Sequence, residues 1–139
     1  MNRCVVLDAE AMSALAGQPS RRKDEVRAAL QIAHRLGRDV IVPAVVLAEL
    51  YRGRHQNQLI DACLSRETGL AIQVTDRAMA RLVGAVLAAA KADSTLLADA
   101  HVIATAVDRG GGIALTGDTK DLERLAAAFR SVNVVSLET

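Results

Sequence analysis

The sequence predicts an α/β layered fold with a parallel sheet, and two observations carry that expectation. Five short runs rich in Val, Ile and Leu are spaced along the chain, at Cys4 to Leu7, Val40 to Val42, Ile72 to Val74, Ile113 to Thr116 and Val132 to Leu137. Helical stretches separate them, and the runs are nearly continuous in apolar residues rather than alternating, as strands buried on both faces of a parallel sheet should be.

Each element has a local reason. Cys4-Val5-Val6-Leu7 is the first strand, and Ala9 to Ala16 follows as a helix. Ser20-Arg21-Arg22-Lys23-Asp24-Glu25, the densest cluster of charge, opens a second helix reaching about Leu36. Pro43 suits the first position of a helix after the second strand. Thr75 or Asp76 can cap a helix running to about Ala90, and Asp93 or Ser94 can cap the next. Gly110-Gly111-Gly112 ends that helix and turns the chain into the fourth strand. No repeat, low-complexity stretch or linker divides the sequence, so its 139 residues, 51% hydrophobic, are expected to form one domain spanning 1–139.

Composition narrows the function classes. No apolar run approaches the length of a membrane span, and Met1, Asn2 and Arg3 lead straight into the first strand without a signal-peptide pattern, so a cytoplasmic protein with no membrane partner is expected. Cys4 and Cys63 lie far apart in apolar surroundings and belong to no metal-binding spacing, which makes them buried free thiols. Lys and Arg exceed Asp and Glu by 17 to 16, a net charge of +1 that neither requires nor excludes a polyanionic partner. With Tyr51 and Phe129 alone and no Trp, the chain cannot build base-stacking platforms, so any RNA contact must rest on charge and backbone geometry.

Four acids break the apolar pattern. Asp8 directly follows the first run and so stands at the carboxyl end of a strand, where open α/β sheets bind ligands; it can equally cap the helix that follows. On a helix from Pro43, Glu49 falls between Val45 and Val46 and close to Leu50, inside the apolar arc. A carboxylate facing the core requires either an arginine partner or a cation. Asp99 repeats the anomaly, flanked by the stripe Leu96, Ala100, Ile103, Val107 on one side and Val102, Ala106 on the other, while His101, Thr105 and Asp108 take the wet face. Asp118, in Thr116-Gly117-Asp118-Thr119-Lys120-Asp121, stands at another strand end, where it can cap a helix with Asp121 in the first turn. One shared cation accounts for all four acids, and carboxylates without accompanying His or Cys suit Mg²⁺ or Mn²⁺ rather than Zn²⁺.

In order and spacing these segments resemble the PIN-domain ribonucleases, and most closely the VapC toxins of bacterial toxin–antitoxin (VapBC) pairs. The segments are Val5-Val6-Leu7-Asp8, Val46-Leu47-Ala48-Glu49-Leu50, the run Ala98 to Ala106, and Leu115-Thr116-Gly117-Asp118-Thr119-Lys120-Asp121-Leu122, and the likeness covers essentially the whole chain. The resemblance implies a PIN-like three-layer sandwich with a five-stranded parallel sheet of order 3-2-1-4-5. It implies a Mg²⁺-dependent endoribonuclease, with Mn²⁺ able to substitute, inhibited by a small VapB-type antitoxin, and homodimers within a larger toxin–antitoxin assembly. By motif it makes Asp8, Glu49, Asp99 and Asp118 the catalytic, metal-holding acids and Asp121 an outer metal ligand. Two positions depart from the family pattern: Gly117 stands where Ser or Asn is frequent, and Glu10 where Ser or Asn often follows the first Asp.

On that reading the metal activates water for in-line attack on a phosphodiester, with no protein nucleophile. The basic residues nearest the acids in sequence, Arg52 and Arg54 after Glu49 and Arg21, Arg22 and Lys23 beyond the first helix, are the candidates for RNA binding, against the ordinary role of such side chains as solvated surface charge. Two other readings compete. Leu7-Asp8-Ala9-Glu10 and Gly117-Asp118-Thr119-Lys120-Asp121 loosely resemble the first and last motifs of haloacid-dehalogenase-like phosphohydrolases, where Asp8 would be the nucleophile. A non-catalytic module binding RNA or a partner is the other, and its usual mark, loss of the acids, is missing.

Overall fold

In the computed structural model, residues 4–137 are described. Five strands, β1 (Cys4–Leu7), β2 (Asp39–Pro43), β3 (Leu70–Gln73), β4 (Gly112–Thr116) and β5 (Val132–Ser136), make one sheet in the order β3-β2-β1-β4-β5, parallel at every pairing. Seven helices flank it: α1 (Ala9–Ala16), α2 (Arg21–Arg35), α3 (Ala44–Leu50), α4 (Arg54–Arg66), α5 (Arg77–Ala89), α6 (Leu97–Asp108), preceded by a 3₁₀ turn over Ser94–Leu96, and α7 (Thr119–Ala126). Helices α1 to α4 pack among themselves, as do α5 to α7, the two groups enclosing the sheet as the outer layers of a three-layer sandwich.

The chain builds β1, β2 and β3 outward in one direction and then returns to lay β4 on the other side of β1. This reversal makes the carboxyl ends of β1 and β4 the topological switch point, the place at which open α/β sheets bind ligands.

Burial follows position in the sheet. β1 is wholly buried and β2 and β4 nearly so, as continuous apolar runs demand, but β3 and β5 are edge strands, and Ile72 and Val135 face solvent. The expectation of burial on both faces therefore fails at the edges. β3 also sits two residues earlier than the run Ile72 to Val74 suggests. It pairs Leu70 to Gln73 with Val40 to Pro43, and β2 ends there, leaving Val74 no partner. For the same reason α3 starts at Ala44: Pro43 is still extended (φ −65°, ψ 140°) and paired with Gln73.

The expected caps are present. Ser20 accepts from Lys23 N–H and Asp76 from Met79 N–H, while Asp93 caps the 3₁₀ turn. Gly110 and Gly111 take positive φ (84° and 116°) at the end of α6, where a side chain would be strained. Cys4 and Cys63 are buried free thiols. No described helix is long and apolar enough to cross a membrane; Met1, Asn2 and Arg3, on which the leader expectation rests, lie outside the described residues.

The seam between β1 and β4 is tight at its start, where a Cβ on Gly112 would stand 2.5 Å from both the Cys4 carbonyl oxygen and Sγ. Gly112→Ala must push two central strands apart and is expected to cost about 1–3 kcal/mol. A urea midpoint equal to that of the unaltered chain would contradict this packing.

Candidate active site

Asp8 directly follows β1 and Asp118 lies two residues beyond the end of β4, both at the switch point, and both serve as helix caps. Asp8 is 5% exposed; its Oδ1 accepts the Ala11 N–H at 2.8 Å and its Oδ2 accepts the Thr116 hydroxyl. The same Thr116 oxygen accepts the Asp118 N–H at 2.9 Å, and Asp118 Oδ1 accepts from Lys120 N–H at 3.2 Å. Burial pushes the Asp8 carboxyl above its ordinary range, and the hydrogen bonds from Thr116 and Ala11 pull against that. Capping and clustering are thus two uses of the same residues.

The other acids come from helices. Asp99 and Asp121 lie in the first turns of α6 and α7, and Glu49 in the last turn of α3. Asp99 is half-buried, as its apolar flanks suggest, and its carboxyl is pushed from the ordinary 3.8 up to about 6. Burial is the largest cause, followed by the negative charges of Asp8, Asp121, Glu49 and Asp118. All five acids therefore share one electrostatic neighbourhood. None of the five is ion-paired to a described residue, so an arginine partner, one of the two ways to accommodate such an acid, is not what they have. Among the described residues no group of three His, Cys, Asp or Glu side chains is closed up into a metal-binding set. An open group of carboxylates is what Mg²⁺ ordinarily uses, since it keeps several waters and takes one or two protein ligands beside substrate phosphate. The donor chemistry fits a hard divalent cation.

Two expectations need correcting. Glu49 does not face the core: it is exposed, because the buried face of α3 is centred on Val46 and Leu47, with Val45 and Leu50 only half-buried. One hundred degrees per residue then puts Glu49 at the rim of that face, close enough for Asp99 to feel its charge. His101 and Thr105 do not sit on a wet face either; they are 6% and 0% exposed, and of the three expected there only Asp108 is exposed. α6 is the inner helix of its layer, packed on β1, β2 and β4 as well as α5 and α7. Burial is tolerable because His101 Nδ1 donates to the Leu97 carbonyl (2.8 Å) and Thr105 Oγ1 to the His101 carbonyl (2.7 Å).

The basic candidates divide. Arg22 reaches the site: it is paired with Glu10 at 3.3 Å and lies 3.5 Å from the Gly117 carbonyl, next to Asp118. Lys23 donates to the Gly17 carbonyl at 2.8 Å, and Arg21 is exposed at the start of α2. Arg52 donates to the Ala48 and Tyr51 carbonyls and so closes the end of α3, while Arg54 opens α4, exposed. The two departures from the family pattern touch each other: a Cβ on Gly117 would stand 1.9 Å from Glu10 Oε2 and 2.6 Å from Arg22 Nη1. Thr116 was missed as a functional residue. Its signal was a hydroxyl at the last position of an apolar strand, two residues before an acid.

The comparisons with known proteins agree with this architecture. The family model described as PIN domain matches residues 5–128. A chain of the VapBC2 complex from Rickettsia felis, solved bound to a DNA fragment from its promoter, is similar with a TM-score of 0.65 at 13% identity, covering 97% of this chain and 99% of that one. A chain of FitAcB from Neisseria gonorrhoeae gives 0.61 at 20% identity, covering 95% and 96%. Comparison with curated proteins gives no match.

The folded chain holds the Asp99 proton more tightly than the unfolded chain, so stability contributed by this group is full below about pH 4 and is lost as pH rises through about 6. Asp99→Asn is accordingly expected to stabilise the metal-free protein at pH 7 by about 1–3 kcal/mol, the rise from 3.8 to about 6 being worth about 3 kcal/mol at most, and to leave it nearly unchanged at pH 4. Urea melts at the two pH values check this; a variant less stable than wild type at pH 7 counts against the crowding of charge at Asp99.

Proposed function

The chain belongs to the PIN-domain family, a family of nucleases, and from that membership and the site's chemistry we propose that it is a Mg²⁺-dependent endoribonuclease acting as the toxin of a toxin–antitoxin pair. The observation that carries the proposal is the gathering of Asp8, Glu49, Asp99, Asp118 and Asp121 at the switch point with no ion-paired cation among the described residues. Asp8, Glu49, Asp99 and Asp118 are the residues that would hold Mg²⁺, or Mn²⁺ in its place, with Asp121 on the outside. When bound, such an ion lowers the pKa of water and neutralises charge on a phosphodiester.

The chain's own residues supply orientation. Thr116 and the Ala11 N–H fix both oxygens of Asp8, leaving further lone pairs on each for a cation. Asp99, charged at neutral pH at an energetic cost, is the acid that gains most from a cation beside it. Arg22, held beside Asp118, is positioned to meet a substrate phosphate.

The phosphohydrolase alternative needs Asp8 to attack. An anchored carboxylate that is 5% exposed suits that role poorly, and the reading leaves Glu49 and Asp99 without a purpose. The antitoxin partner is supported by the kind of complexes in which the similar solved chains occur, VapBC2 and FitAcB. A small VapB-type antitoxin would bind and silence the enzyme, and homodimers would build the larger assembly; a short reading frame beside the gene is the expected source of that antitoxin.

Asp99→Asn should abolish Mg²⁺-dependent RNA cleavage, a loss of at least about 100-fold as for removal of one electrostatic stabiliser, with the circular dichroism spectrum kept. Mg²⁺ should also raise the melting temperature of the wild type and not of Asp99→Asn. Full cleavage by the variant in a metal-titrated assay would end the site assignment; wild-type protein that binds RNA and never cuts it would make this a binding module. Growth arrest on expression, relieved by the neighbouring gene, tests the toxin role.

A further inference from the structure

The sheet has a second charged pole. At the end away from the carboxylates, where β2 and β3 begin, a cavity of about 570 Å³ opens between the C-terminal turns of α2 and α4. Leu30, Val40 and Leu70 give it apolar lining, while Arg27, His34, Arg35, Arg38 and Arg66 crowd it against the single acid Glu67. None of these four arginines is ion-paired to a described residue. His34, Arg35 and Arg66 occupy last helical turns, where a cation also balances the helix dipole. Arg27 is in mid-helix and Arg38 lies between α2 and β2, so no helix end accounts for them.

Helix α2 joins this cavity to the carboxylate end. At its start Arg22 reaches the Gly117 carbonyl beside Asp118; at its end Arg35 lines the cavity, thirteen residues and about 20 Å farther on. Lys23, Arg27 and His34 follow one another at helical spacing between the two. We infer that the cavity anchors the backbone phosphates of an RNA strand several nucleotides from the bond being cut. The inference rests on the nuclease reading, which makes RNA rather than an acidic peptide the polyanion that follows the basic stripe from pole to pole. Guanidinium forks match phosphate oxygens in pairs, and with no Phe, Tyr or Trp lining the cavity the anchor is largely indifferent to base identity.

Fluorescence anisotropy in EDTA, where nothing is cut, tests this with labelled RNAs of about 4 and about 16 nucleotides, the ends of the usual single-strand site range. The unaltered chain is compared with Arg35→Gln/Arg38→Gln and with Arg27→Gln/Arg66→Gln, each checked for an unchanged melt. Each pair should weaken binding of the long RNA about tenfold and flatten its log–log salt slope by about 1.4, two phosphate contacts' worth, and the short RNA, which can occupy the cavity but cannot also follow the stripe, should bind the unaltered chain with the smaller slope. An unchanged affinity or slope for the long RNA in the variants, or the same slope for both RNAs in the unaltered chain, would overturn the anchor. So would poly-glutamate that binds as tightly as the long RNA and suffers the same loss, since the cavity would then be a peptide site. Cleavage is read separately: a protein that cuts RNA with no cavity-dependent slope keeps the nuclease reading and loses the anchor. A protein with the slope and no cleavage loses the nuclease reading and keeps the anchor.

Discussion

The hydroxyl of Thr116 is the contact on which the carboxylate end of the sheet depends. It donates to Asp8, lies 2.9 Å from the Asp118 carbonyl and accepts the Asp118 N–H, so a single side chain locks the end of β1 to the turn after β4. A carboxylate as buried as Asp8 is tolerated only with such partners. β1 and β4 are far apart in sequence and become neighbours only through the return of the chain across the sheet. The site therefore has no local precursor: it forms when β4 pairs with β1, and the switch point and the orientation of Asp8 arise together.

How much of this was legible depends on the kind of signal. Asp8 and Asp118 could be placed because apolar runs stop at them, and a strand end is visible in a linear sequence. Glu49 was singled out by an argument that fails in detail. A seven-residue helix has too few turns for periodicity to locate its buried face, and the face proved to be centred one position later. Asp99 sits on a longer helix, where the pattern was a better guide. His101 and Thr105 were misplaced because periodicity assumes that polar residues seek water, and both satisfy their polar atoms on carbonyls one turn back within α6. The edge exposure of β3 and β5 is a property of strand order, which no single run contains. The strand order itself came from the likeness of motifs.

The basic cavity shows the limit of total charge as a guide. A sum of +1 conceals two populations, five carboxylates at one end of the sheet and four arginines around the other. Each population repels itself, and each is costly to fold without a ligand of opposite sign. Arg27, Arg35, Arg38 and Arg66 come from two helices and a connection, so only the tertiary structure assembles them. Proximity in sequence to the acids pointed instead to Arg52 and Arg54, of which Arg52 is engaged at the end of α3, and to Arg21, Arg22 and Lys23, of which Arg22 reaches the carboxylate end.

The contact of Glu10 with Gly117 bears on how such a site can be inherited. The carboxylate of residue 10 and any side chain at residue 117 compete for one small volume, which Glu10 and Arg22 now fill. The two positions are therefore coupled in this chain: a side chain at residue 117 and a Glu10 that reaches Arg22 exclude each other. Any side chain introduced at residue 117 has to be met by a change at residue 10, or by Glu10 letting go of Arg22.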